Sequence, residues 1–182
     1  MGPWCRAALA VVAVQSAFAA AGAITVDEKA KTVSVSAAFA RQGAYDVLKG
    51  AIEYLVVATG GKEYETVFVV DCTPEELHQA LLKIGLEPGE PAKDGDPPKG
   101  KGVLILAEYE ADGKKVRRPA DELVLSTKTN KPLAPGPWAF TGSQKGFDPN
   151  TNKEALQAYM SKNLVGLHWL DATPLIQNPR AE

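Results

Sequence analysis

The chain has 182 residues, 45% of them hydrophobic and 23% charged, which suits one domain with a full core. Its formal net charge of −2 and a pI near 5.8 leave no excess of cationic surface for a nucleic-acid backbone. Two cysteines, Cys5 and Cys72, and two histidines, His78 and His168, confine thiol and metal chemistry to very few positions.

The first elements in chain order read as an address. Residues 1–6 carry one cation, Arg6, and residues 7–20 form an apolar run too short to span a bilayer. Ala17-Phe18-Ala19 and Ala19-Ala20-Ala21 then place small residues where a signal peptidase reads. The pattern predicts a leader over residues 1–21 and a single domain over residues 22–182, periplasmic or secreted. Cys5 precedes the apolar run, so it does not stand where a lipidated cysteine follows one. Cleavage removes Arg6, so 19 basic side chains face 22 acidic ones and the charge becomes −3. Cys72 is then the sole thiol, too few for an intramolecular disulfide or an iron–sulfur cluster. No later run is long and apolar enough to make a membrane-spanning helix.

In the domain, ITV and TVSVS within residues 23–38 alternate about a charged turn and predict an opening hairpin with one wet face. Residues 52–58 (IEYLVVA) and 66–70 (TVFVV) are β-branched and aromatic, and Gly60-Gly61 between them predicts a tight antiparallel pair. A helix over residues 74–84 follows. Thr73 and Glu76 form a capping box, and Pro74 occupies the first helical position, where its missing donor costs nothing. Leu77, Ala80, Leu81 and Ile84 recur at i, i+3, i+4 and i+7, a stripe that must be buried, and Gly85 with Leu86 supplies a left-handed stop.

Residues 87–102 (EPGEPAKDGDPPKGKG) have nothing to bury and predict an exposed, flexible loop. Residues 103–110 and 114–118 flank Asp112-Gly113, the commonest short hairpin signal. A helical turn is expected at 121–125, a loop at 132–137, a strand at 138–141, a polar connection at 147–153, a helix at 154–161 and a last strand at 164–170. The sum is an α+β fold, a mostly antiparallel sheet of five to seven hairpin-built strands with one short capped helix on a face.

Several residues are candidates for chemistry. Glu63 or Glu65 with Asp71 and His78 offers oxygen and nitrogen ligands to a metal, but zinc sites recruit two or more His or Cys, and the other imidazole lies at His168. Cys72 stands before a helix N-terminus, where the dipole favours a thiolate, and with His78 and Glu65 it outlines a hydrolase or transferase set. Ser143 in WAFTGS lacks the G-x-S-x-G elbow of a serine hydrolase, and alternation puts Trp138 and Phe140 on one face as core anchors. Lys114, Lys115, Arg117 and Arg118 fit a charged hairpin edge protected from aggregation.

The order IEYLVVATGGKEYETVFVVD, LHQALLKIGLEPG, WAFTGS at residues 138–143 and LDATPLIQNP at residues 170–179 resembles the YdjY-like domain family of bacterial exported proteins, over roughly residues 31–179. The resemblance implies export and no assigned reaction; some members carry ferredoxin-like additions. Relatives tend to have a histidine where this chain has Tyr64, so a site needing that imidazole is incomplete here.

The reading favoured is a non-catalytic binding or interaction module of the cell envelope. It has no cofactor, its partner is an envelope protein or a small ligand, and Lys62, Glu63, Glu65, His78, Trp138 and Ser143 are its candidate binding residues. The alternatives are the Glu65, His78 and Cys72 enzyme and a metal-binding protein.

Overall fold

The computed structural model describes residues 9–13, 24–40, 52–168 and 172–180. In chain order the strands are β1 (Leu9–Ala13), β2 (Thr25–Asp27), β3 (Thr32–Phe39), β4 (Tyr54–Ala58), β5 (Thr66–Val70), β6 (Lys101–Ala111), β7 (Lys114–Pro119), β8 (Trp138–Phe140), β9 (Lys145–Asp148), β10 (Lys153–Leu156), β11 (Asn163–Gly166) and β12 (Ile176–Gln177). Helix α1 (Pro74–Lys83) follows β5, and a short α2 (Gln157–Ser161) follows β10.

The architecture is β-rich α+β, a large curled mixed sheet with one substantial helix. Ten strands form the sheet in the order β1-β3-β5-β4-β11-β12-β8-β6-β7, with β2 beside β3, while β9 and β10 make a separate hairpin. Strand β1 also pairs with β6, so the order of pairing returns to its starting strand. The pairs β1 with β3, β1 with β6, β4 with β5 and β11 with β12 are all parallel. The other six pairings of this sheet are antiparallel, so the expectation holds in part: the sheet is larger than five to seven strands and is mixed, not built simply of antiparallel hairpins.

The largest departure lies at residues 52–70. The two strands are neighbours as expected, yet they run parallel, Tyr54 opposite Thr66 and Ala58 opposite Val70. Gly60-Gly61 therefore turns the chain without starting a hairpin. The connection runs back along β4 instead: Thr59 N–H donates to Val70 O (2.9 Å) at one end, and Glu53 N–H to Glu65 O (3.0 Å) at the other. A 3-10 turn over Glu63–Glu65 takes up the return, and Gly60, at φ 80°, donates its N–H to Glu63 Oε1 (2.7 Å). Burial explains the choice. All five residues of β4 are buried, as befits a strand covered on both faces, and its other edge pairs antiparallel with β11.

Helix α1 forms as its sequence requires. Thr73 Oγ1 accepts the Glu76 N–H (3.2 Å) and Glu76 Oε2 accepts the Thr73 N–H (2.7 Å), so two of the orphan donors at the helix start are satisfied reciprocally. Gly85 takes φ 89°, and Leu86 N–H closes onto Leu81 O (3.2 Å). Leu77, Ala80, Leu81, Ile84 and Leu86 are all buried in one core cluster with Phe68, Val70, Trp138 and Phe140. Each large aliphatic chain there contributes roughly 2 kcal/mol of burial.

Elsewhere β2 and β3 make the expected opening hairpin, and β6 and β7 join through Asp112-Gly113 with positive φ at both residues. Within residues 87–102 the backbone builds an antiparallel arm of its own, Glu90 with Lys99 and Lys93 with Asp96, turning at Asp94-Gly95. Its side chains are mostly exposed, with Pro98 buried. Of the connection expected at 147–153 only residues 149–152 join β9 to β10, the rest lying in the two strands, and the helix expected at 154–161 starts only at Gln157. The last strand candidate is β11, with residues 169–170 outside the described residues; β12 follows where only a closing segment was expected.

Candidate functional site

The residues singled out by sequence fall into three separate places. The first is the turn between β4 and β5. Lys62 Nζ bridges Glu53 Oε2 (2.9 Å) and Glu65 Oε2 (3.3 Å) and lies 5.3 Å from the centre of the Tyr54 ring. The hydrogen bond that Lys62 donates holds the Glu53 carboxyl below its ordinary value, and the carboxylate's acceptance of it raises the Lys62 ammonium. His168 adds a weaker attraction to Glu53. Glu63 is exposed and committed to the Gly60 N–H, and Tyr64 is 41% exposed.

The second place is the contact between α1 and α2. His78 is buried on α1, its Nδ1 2.8 Å from Tyr159 Oη, its ring 5.8 Å from that of Phe140. Burial lowers the His78 imidazole below its ordinary 6.5 and raises the Tyr159 phenol, with Glu75 adding to the latter. The His78 Nε2 has no hydrogen-bond partner among the described residues.

The third place is the corner after β8. Gly142 and Ser143 both have positive φ, at 76° and 71°, which turns the chain sharply off the strand. Ser143 Oγ donates to Thr173 O (2.6 Å) and accepts the Ala158 N–H (3.0 Å), tying the start of α2 to the segment before β12. Trp138 is fully buried, donating from Nε1 to Asp121 Oδ1 (3.2 Å). Arg180 shares that carboxylate through Nη2 (2.7 Å), lies over the Trp138 ring at 5.2 Å and donates from Nη1 to Ala134 O (2.6 Å). Nothing in the local sequence pattern announces this Asp121, Trp138 and Arg180 group, because its members come from three distant segments.

Glu65, His78 and Cys72 are therefore not brought together. Glu65 and Cys72 stand at opposite ends of β5, whose five residues span about 17 Å. Cys72 is buried, and burial pushes its thiol up to about 12, against the thiolate expected from the helix N-terminus. Its neighbours Glu76 and Asp71 add to the rise. Asp71 is exposed and accepts the Thr59 hydroxyl (2.9 Å). Among the described residues no three His, Cys, Asp or Glu side chains gather closely enough to hold a metal ion.

The architecture so far is that of a β-rich α+β domain, and among its described residues no helix is long and apolar enough to cross a membrane. The YdjY domain model matches residues 24–154, and the chain belongs to the YdjY domain family. The match starts just before β2 and stops within β10, short of the end of the sequence resemblance. No curated protein and no solved structure matches the chain.

Proposed function

We propose that this protein is an exported, non-catalytic binding module of the cell envelope, cut from its leader near residues 19–21, which engages a polypeptide partner through the sheet. Export rests on the sequence pattern of residues 1–21, and the observation that supports a polypeptide partner is the place of β1. It lies inside the segment whose sequence has the features of a leader, yet it pairs with both β3 and β6. Cleavage would leave two strand edges open, and an open edge is what a polypeptide partner adds to. Further support comes from the side chains first considered for catalysis. Ser143, Cys72 and His78 each lie buried, and Ser143 and His78 are bonded to parts of the fold distant in sequence.

The test is to express the full chain in a bacterial host, fractionate the cells and measure the intact mass of what is recovered. A periplasmic or secreted product starting near residue 20, which retains an envelope protein on native pull-down, is the expected result. A chain that keeps Met1 and stays in the cytoplasm would sink the reading.

A further inference from the structure

We infer that the gap between β3 and β6 is a strand-acceptor slot, which binds an extended, uncharged apolar segment of about five residues from a partner polypeptide, running parallel to both edges. The inference rests on the export reading above for when the slot is open, but the slot itself stands on pairing geometry. Leu9–Ala13 is opposite Thr32, Val33, Ser34, Val35 and Ser36 on one side and Leu104, Ile105, Leu106, Ala107 and Glu108 on the other. The far edges of the two neighbours are already taken over part of this length. Residues 32–34 also pair with β2, and residues 106–108 also pair with β7. A strand lying between β3 and β6 is thus what can satisfy the inward N–H and C=O groups of both.

The slot has a closed end. One residue past Glu108 and three past Ser36, the Tyr109 and Phe39 rings meet edge to face, centres 6.2 Å apart, so the two strands are bridged by aromatic contact where β1 stops. Its walls state the chemistry of the occupant. Val33, Val35, Ile105 and Ala107 are buried, so inward positions take small apolar side chains. On the outer face the row beside β6 is Leu104, 41% exposed, half-buried Leu106 and then Glu108, and the row beside β3 is Thr32, Ser34 and Ser36, so outward positions meet leucines on one side and hydroxyls on the other, with a carboxylate at the closed end. The sequence seated there, LAVVA, is apolar throughout. Recognition by main-chain pairing makes the site tolerant of residue order but intolerant of charge and of lost N–H groups.

The experiment uses the full chain expressed with its own leader, followed by intact mass and amide hydrogen exchange with and without a synthetic peptide of residues 7–15. If the product starts near residue 20, adding the peptide is expected to slow exchange roughly tenfold across residues 32–36 and 104–108 together. A peptide with the same residues reordered acts alike; one with Val11→Pro and Val12→Pro does not, since successive residues of a central strand face opposite neighbours. L104K in the protein weakens binding while leaving the fold intact, because that side chain points outward. If the product instead keeps Met1, the export reading fails while the slot remains testable: a full chain carrying Val11→Pro and Val12→Pro should accept the wild-type peptide, and the unaltered chain should refuse it. Protection of one edge only, protection elsewhere, or no protection overturns the slot. A product whose slot is filled by a second copy or by its own retained leader overturns the assignment to a partner.

Discussion

At the scale of single residues, the polar groups that look reactive in the sequence are held by the fold. Cys72 is the plainest case. With its thiol near 12, roughly one molecule in ten thousand carries the thiolate at pH 8, so iodoacetamide should leave it unmodified in the native protein and label it promptly in denaturant. Fast native labelling would show that it is not buried. Ser143 is a structural staple, and Ser143→Ala is expected to cost about 1–2 kcal/mol by stranding the Ala158 N–H, read as a lower midpoint in urea with an unchanged slope. His78 makes stability pH-dependent. Its folded value lies below its unfolded 6.5, so the unfolded chain takes the proton first as pH falls. That contribution is complete above about pH 6.5 and is lost as pH falls towards the folded value. The melting temperature should therefore drop between pH 7 and 5, less steeply in His78→Gln; equal slopes in the two proteins would refute the assignment.

At the scale of elements, α1 shows local rules agreeing with tertiary demand. Its cap, stripe and stop are all spelled in the residues 73–86, and each has the role the spelling implies. Thr73→Ala removes the reciprocal cap and should cost about 1 kcal/mol, or roughly 2–4 °C in melting temperature for a domain of this size. No shift would mean that the helix is held by packing alone. Strands β4 and β5 show the opposite case. A Gly-Gly between two apolar runs resembles a hairpin, but the unbroken apolarity of 54–58 already marked a strand covered on both faces, the habit of parallel sheets. The hairpin at Asp112-Gly113 formed because alternation and turn chemistry agreed there.

At the scale of the whole molecule, contacts between segments remote in sequence tie the β12, β8 and β7 end of the curled sheet together. Arg180 joins the last described turn to Asp121, which is 2% exposed, and to Trp138. Arg180→Ala leaves that carboxylate with less than its full set of partners. The expected loss is about 3 kcal/mol, the lower part of the range for a broken buried pair because the guanidinium reaches the surface. A denaturation midpoint unchanged by the substitution would refute it. The same scale creates the proposed slot, since the gap that β1 fills exists only because β3 and β6, some seventy residues apart in the chain, approach within one strand of each other.

What the residues determine by themselves is local: the capped helix, the Asp-Gly hairpin, the strands with clear period, the family likeness and the features of a leader. These follow from caps, turns and periodicity, whose causes lie within a few residues of their effects. Tertiary structure alone decided that β4 and β5 run parallel, that Glu65 is parted from Cys72, that Ser143 is a staple and that β1 is seated between β3 and β6. Strand direction and edge pairing depend on which remote segment covers which face, and composition records that a face is apolar without recording what lies against it.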